Sequence, residues 1–332
     1  MRGVTIAAAL LGGLPGAALA NDTSAVLSGA GLTLTASRDI VMQSEDLRLS
    51  PSEVRVAYGF RNRSARTVVT QVAFPLPEVD VGAMSETPHR FHFNGRDGDV
   101  VDFQLTVDGR PTAAALEARA FNDKGRDITA SLARYRVPLI GRRSDAEIEA
   151  ALGRLSPAAV KALAAIGAVY ADEWASHSDI KHPGWKVRAT YHWRQSFPAG
   201  AEVRIAHRYR PVLGGVNFDS AADLARSGAP REEGTWTDEK RGWCLSPALL
   251  TSVKTKGPVR LQWLEYVLRT GANWAGPISR FHLEITPPAG GLAASCAIAG
   301  LRLERRGGAL VADQLAFTPR GDIAAAFLAR AP

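Results

Sequence analysis

Apolar side chains recur at every second position in the longest patterned stretch of this chain. Trp185, Val187, Ala189, Tyr191 and Trp193 alternate with Lys186, Arg188, Thr190, His192 and Arg194. That period turns one face of an extended strand to a core and the other to water, and no helix can gather those residues on one side. After a turn at 196–200 the pattern resumes, with Val203, Ile205, His207 and Tyr209 against Arg204, Ala206, Arg208 and Arg210. Across 53–62, Val54, Val56, Tyr58 and Phe60 do the same. Asn62-Arg63-Ser64 reads as a turn into a partner strand at 67–74, stopped by Pro75 and Pro77. A second hairpin is expected from 99–107 and 112–118 about the Asp108-Gly109 turn. Further strands are expected at 259–269, 281–286, 300–305 and 309–317, the last two joined by Gly307-Gly308.

The middle of the chain departs from this period. Ser144 with Glu147 reads as a capping box opening a short helix to Gly153. Ser156-Pro157 caps a longer helix with Val160, Leu163, Gly167, Tyr170 and Trp174 on one stripe. Ser246-Pro247 starts a short helix, and 322–329 reads as a terminal one. The expected fold is mainly β, an antiparallel β-sandwich architecture of one or two sandwiches, with a helical insertion around 121–180 and a short C-terminal helix. The expected divisions are a signal peptide at 1–20, an N-terminal β region at 21–120, a mostly helical connector at 121–184, and a C-terminal β region at 185–332.

The leader assignment rests on Arg2, an apolar run to Leu14, and Ala18-Leu19-Ala20, a small-x-small pattern that places cleavage between Ala20 and Asn21. The expected location is therefore periplasmic or secreted, with no membrane anchor. Cys244 and Cys296 are the two cysteines of the 332-residue chain. In an oxidising compartment an even pair without metal spacing reads as a disulfide. A loop of that length restrains the unfolded chain by about 4 kcal/mol. A composition 46% hydrophobic and 22% charged excludes a disordered or collagen-like chain. The formal charge of +7 comes mostly from arginine. Export, rather than charge, argues against nucleic acid as a partner.

Several phrases occur in order along the chain: Ser44-Glu45-Asp46-Leu47, Val72-Ala73-Phe74-Pro75-Leu76-Pro77, the run from Trp193 to Pro198, His207-Arg208-Tyr209-Arg210-Pro211, and Thr270-Gly271-Ala272-Asn273-Trp274-Ala275-Gly276-Pro277-Ile278 leading into Phe281. This ordered set resembles the bacterial exported family known as domain of unknown function 4424. The resemblance covers the whole mature chain and implies one exported β-rich unit, with no reaction, ligand or catalytic residue to carry over. Physically, Pro75 and Pro77 each fix φ and remove a donor, ending a strand, and Trp274 reads as an anchor covering the end of a core.

Three constellations bear on function. Glu173, His177, Asp179 and His182 fall near a helix end, where two imidazoles and a carboxylate suit zinc; a solvated helix terminus is the plainer reading. His89 and His92 with Asp97, Asp99 and Asp102 occupy an aromatic, turn-rich stretch; His207 falls on an apolar strand face and reads as a hydrogen-bonded core histidine. The third is electrostatic. If the strands on either side of Pro198 pair, Lys186, Arg188, Arg194, Arg204, Arg208 and Arg210 share one face. Their repulsion then needs neighbouring acids or an anionic ligand. There is no Gly-x-Ser-x-Gly elbow, Ser-x-x-Lys pair or phosphate-cradling loop. No cofactor or metal ligand set is therefore assigned. The sequence reads as an exported, non-enzymatic β-sandwich protein that binds or scaffolds an envelope protein, a glycan, lipopolysaccharide or another anionic ligand. The alternative is a periplasmic hydrolase, metal-dependent in one form, acting on a glycan or ester.

Overall fold

A computed structural model describes residues 23–28, 31–85, 89–171, 181–227, 245–246, 249–250, 253 and 257–331. The leader, Ala20, Asn21, Cys244, Glu173, Trp174, His177 and Asp179 lie outside them. Strands β1 (Thr23–Ser28), β2 (Gly31–Thr35), β3 (Ile40–Leu49), β4 (Val54–Asn62) and β5 (Val68–Pro75) come first. Short strands β6 (Val79–Asp80) and β7 (His89–Arg90) precede β8 (Gln104–Val107), β9 (Arg110–Thr112) and β10 (Ala115–Asn122). Helices α1 (Thr129–Arg134), α2 (Ala146–Gly153) and α3 (Pro157–Ala164) follow. Then come β11 (Val169–Ala171), β12 (Lys181–Pro183), β13 (Trp185–Phe197), β14 (Glu202–Tyr209), β15 (Leu213–Phe218) and α4 (Ala221–Ser227). The chain closes with β16 (Val259–Tyr266), β17 (Ile278–Ile285), β18 (Leu292–Ser295), β19 (Glu304–Arg306), β20 (Ala309–Phe317) and β21 (Ile323–Arg330).

Three sheets carry the fold. The first runs β10-β13-β5-β1-β2, with β6 also on β13. The second runs β19-β20-β17-β3-β4-β14-β8-β9, and the third β18-β21-β16-β15-β7. A two-stranded ribbon pairs β11 with β12. Among the described residues the named strands pair antiparallel except β3 with β17, and an isolated bridge between His92 and Val101 is also parallel. The period of two is obeyed residue by residue along β13, whose odd-numbered side chains from Trp185 to Phe197 are all buried.

The first two sheets stack face to face. Phe60 meets Phe197 with ring centres 5.9 Å apart, and Phe74 meets His207 at 4.7 Å. The third sheet closes on the same core, where the Tyr58 and Tyr266 hydroxyls are hydrogen-bonded at 3.1 Å. One hydrophobic cluster thus draws on strands from both ends of the chain. Trp274 seals one end, 4.7 Å from Phe60 and 6.2 Å from Phe197, as its turn suggests.

Several expected pairings are corrected. β4 and β5 are not a hairpin: β4 lies between β3 and β14, while β5 pairs with β1 and β13. Nor do β13 and β14 pair, since they lie in the first and second sheets. Both links are corners that carry the chain from one layer to the other. The buried Asn62 side chain fixes them together, donating to Arg66 O and Phe197 O at 2.8 Å each and accepting from Ser64 N at 2.9 Å. Of the expected second hairpin, β8 and β9 do pair about Asp108-Gly109, but β10 joins β13 in the other sheet.

The helices also differ in extent. The N-cap of α2 is Asp145 rather than Ser144, and Glu147 turns back to accept from Arg142 N and Arg143 N. Ser156 caps α3 as expected, accepting from Ala159 N at 3.2 Å. That helix ends at Ala164, and Gly167 takes a left-handed φ of 68° that turns the chain into β11. Tyr170 therefore stands on a strand opposite His182. The expected terminal helix is a strand: β21 runs between β16 and β18, and Phe327 is 1% exposed. Ladder bonds and burial on both faces outweigh the helix preference of its alanines.

Candidate functional site

The arginines singled out by alternation do not form a common face. On β13, Lys186 Nζ lies 3.4 Å from Asp80 and 4.0 Å from Glu78, and Arg188 Nε donates to Glu78 at 2.7 Å while lying over the Phe121 ring. On β14, Arg204 pairs with Glu202 at 3.2 Å, Arg208 approaches Glu53 at 3.8 Å and donates to Gln104 at 2.6 Å, and Arg210 reaches Asp102 at 3.0 Å. Arg194 is exposed, with no carboxylate at ion-pair distance among the described residues. The repulsion expected from pairing is removed by placing the strands in two sheets and by acids from other segments. Exposed pairs of this kind add little stability each.

His92 and the aspartates of 97–102 also serve separate ends, and the His89 side chain lies outside what is described. Asp97 accepts three backbone N–H bonds, from Leu139 at 2.8 Å and from Ile140 and Gly141 at 3.0 Å. Asp99 accepts the Tyr191 hydroxyl at 2.5 Å, and burial with that bond pushes the phenol pKa up. Desolvation, then the charge of Arg210, lowers that of His92. His207 stands among the rings of Phe74 at 4.7 Å, Phe103 at 5.0 Å, Trp193 at 5.4 Å and Tyr58 at 5.5 Å. Burial drives its pKa down to about 3, so the ring is neutral there. Among the described residues no three His, Cys, Asp or Glu side chains converge as metal ligands.

What the structure does assemble is a cavity of about 350 Å³ where the first and third sheets part. Its origin is in strand terminators. Pro75 and Pro77 end β5, so the chain runs on as a lip: Leu76 N donates to Ala189 O at 2.8 Å, Val81 N to Trp185 O at 3.0 Å, and β6 pairs with Val187 and Lys186. On the opposite wall the β15–β16 ladder ends at Gly214–Trp263, which leaves Leu264 and Glu265 without a neighbour on that side. Gly214 is needed here, because an added Cβ would sit 2.2–2.4 Å from three atoms of the Trp263 indole. Val100, Val101, Ile140, Val187 and Tyr209 supply a mostly apolar lining.

The polar groups of this space are chiefly acidic. Glu78 and Asp80 stand on the lip, held by Arg188 and Lys186. Glu265 is open to water yet enclosed by the cavity walls, and burial raises its carboxyl above the usual carboxylate range, with the charges of Asp322 and Glu78 adding. Asp322 is held by Arg269, whose Nε donates at 2.8 Å. Sequence reasoning missed Glu78, Asp80, Trp263 and Glu265. Two signals were present: paired glycines at 214–215 inside a strand pattern, which mark a close approach, and a carboxylate two residues from a tryptophan on one strand face.

Fold and site together define a three-sheet β-sandwich protein with a small-molecule-sized cavity at an inter-sheet seam. The chain belongs to the family described as Domain of unknown function (DUF4424), whose model matches residues 20–323. Among solved structures it is similar to a protein of Legionella pneumophila subsp. pneumophila strain Philadelphia 1, provisionally described as nutrient-binding. The two are 15% identical with a TM-score of 0.43, over 94% of this chain and 71% of that one. No curated protein matches the sequence. Among the described residues, no helix is long and apolar enough to cross a membrane.

Proposed function

We propose that this is an exported, non-enzymatic binding protein that takes up a small ligand in the cavity between the lip at 76–81 and the Trp263–Glu265 wall. The observation that carries the reading is the cavity itself: about 350 Å³, apolar in most of its lining, with few polar groups. Ligand sites commonly have about 300–1,000 Å³ and that balance of surfaces. Export is read from the leader pattern at 1–20, which predicts a mature chain beginning at Asn21 in the periplasm or the medium. A Cys244–Cys296 bridge belongs to the same reading, and among the described residues no cysteine is free.

The test uses 2-phenylethanol as a neutral probe of the cavity. It should raise the melting temperature of the mature chain saturably, since a ligand that binds only the folded state stabilises it by mass action. Val187→Trp, which fills the cavity from the β13 side, should abolish that rise while the unliganded protein still melts cooperatively. A melting temperature that ignores the probe, or a Val187→Trp variant that responds unchanged, refutes the reading. Fractionation with N-terminal sequencing tests export separately, and non-reducing mass analysis tests the bridge.

A further inference from the structure

We infer that the cavity selects a monocationic organic ligand, an ammonium group on an apolar body, with the Glu265 carboxylate as its counter-ion and the Trp263 indole as its contact. This rests on the cavity being the ligand site. The charges around it support one uncompensated negative position. Lys186 and Arg188 are committed to Glu78 and Asp80, and Arg269 to Asp322. The Glu265 side chain makes no ion pair or hydrogen bond among the described residues.

The Glu265 carboxylate is open to water on one side, and the partial burial on its cavity side raises its pKa by disfavouring the ionised form where no partner faces it. A ligand cation removes that cost. The charges of Asp322 and Glu78 that disfavour ionisation of Glu265 also favour a positive guest. A carboxylate or phosphate guest meets the opposite field. A divalent metal would need several convergent oxygen ligands, and no such group occurs among the described residues.

Trp263 and Glu265 are two apart on β16, so both side chains leave the same face with their Cα atoms about 6.6 Å apart. Gly214 lets the indole lie across the adjoining strand. A ring beside an unpaired carboxylate suits an alkylammonium, whose charge meets the carboxylate and whose methylenes meet the indole and the Val100 and Val187 side chains.

Three probes of one shape separate charge from cavity: 2-phenylethylammonium, 2-phenylethanol and phenylacetate, titrated calorimetrically into the mature wild-type chain at neutral pH. The ammonium should bind about tenfold more tightly than the alcohol, and phenylacetate most weakly. Glu265→Gln, which keeps the side chain's shape, should bring ammonium and alcohol within about twofold of each other. Equal affinities for all three on the wild-type chain overturn the ligand class and leave the cavity reading standing. Binding of none overturns both. A preference for ammonium that survives Glu265→Gln overturns the assignment to that carboxylate. The wild-type comparison stands even if the variant fails to fold.

Discussion

Replacing Asp97 tests whether one carboxylate holds the wall of the cavity in place. Its Oδ2 accepts from Leu139 N at 2.8 Å, and its Oδ1 from Ile140 N and Gly141 N at 3.0 Å each. Ile140 is fully buried and lines the cavity, while Leu139 O accepts the Trp185 indole N–H at 2.9 Å. In Asp97→Ala, water can reach the half-buried Leu139 N–H, but the donors of buried Ile140 and Gly141 lose their acceptor. A buried donor left unmade costs about 1–3 kcal/mol, more when its lost partner was charged, so the expected loss is about 4 kcal/mol. Asp97→Asn is more informative. Its amide oxygen can keep the Ile140 and Gly141 bonds, but its NH₂ then faces the Leu139 N–H, donor against donor, at a cost of about 2 kcal/mol. Urea unfolding followed by tryptophan fluorescence gives both values, provided the m-value is unchanged. The reasoning is refuted if Asp97→Asn lies within about 0.5 kcal/mol of wild type, or if the two variants are equally destabilised.

Three further outcomes are expected. His207 is neutral in the fold down to about pH 3, whereas the unfolded chain takes up its proton near pH 6.5. Stability should therefore fall as pH drops through that window, by up to about 1.4 kcal/mol per pH unit from this group. His207→Leu should remove that part of the slope in unfolding titrations at pH 4–6. Gly214→Ala should force the Trp263 indole aside, costing about 1–3 kcal/mol in melting experiments and shifting the tryptophan emission. Phe327→Ala should cost about 3–5 kcal/mol, because the ring is buried on a strand flanked by β16 and β18; an effect below about 1 kcal/mol would contradict that placement.

Alternation shows which side chains face inward, and for β4, β13 and β14 it does so nearly without error. It does not show which strand lies alongside. A hairpin and a corner between stacked sheets have the same local signature: two alternating runs about a polar turn. What distinguishes them is the buried Asn62, whose amide bonds to both Arg66 and Phe197 tie one corner to the other. The basic face failed for this reason, since it required β13 and β14 to be neighbours. The terminal strand resembles a helix in sequence for a different reason. β21 faces the main core through Ile323, Ala325 and Phe327, and a second cluster through Ala326 and Leu328. A strand buried on both faces loses its alternation, and an alanine-rich apolar run then looks like a helix.

The cavity was illegible because no contiguous segment encodes it. It arises where three ladders stop: at Pro75, at Gly214 and at the end of the short β6. The first two stops are visible in sequence as a proline and a glycine and the third, after Asp80, is not, and the convergence of all three depends on the β16 wall lying opposite the lip. That convergence also gives Glu265 its character. On a continuous sheet the position beside β16 would be filled by β15, and Leu264 and Glu265 would gain a strand partner. Because the ladder ends one residue earlier, the carboxylate opens into the gap instead, beside apolar side chains and acids already paired with Lys186, Arg188 and Arg269. Extending the ladder should close the gap. Pro211→Val with Val212→Thr offers β15 the amide donor it lacks and strand-favouring side chains, so it should stabilise the apo chain while weakening 2-phenylethylammonium binding. If stability rises and binding is untouched, the ligand does not sit at the end of that ladder.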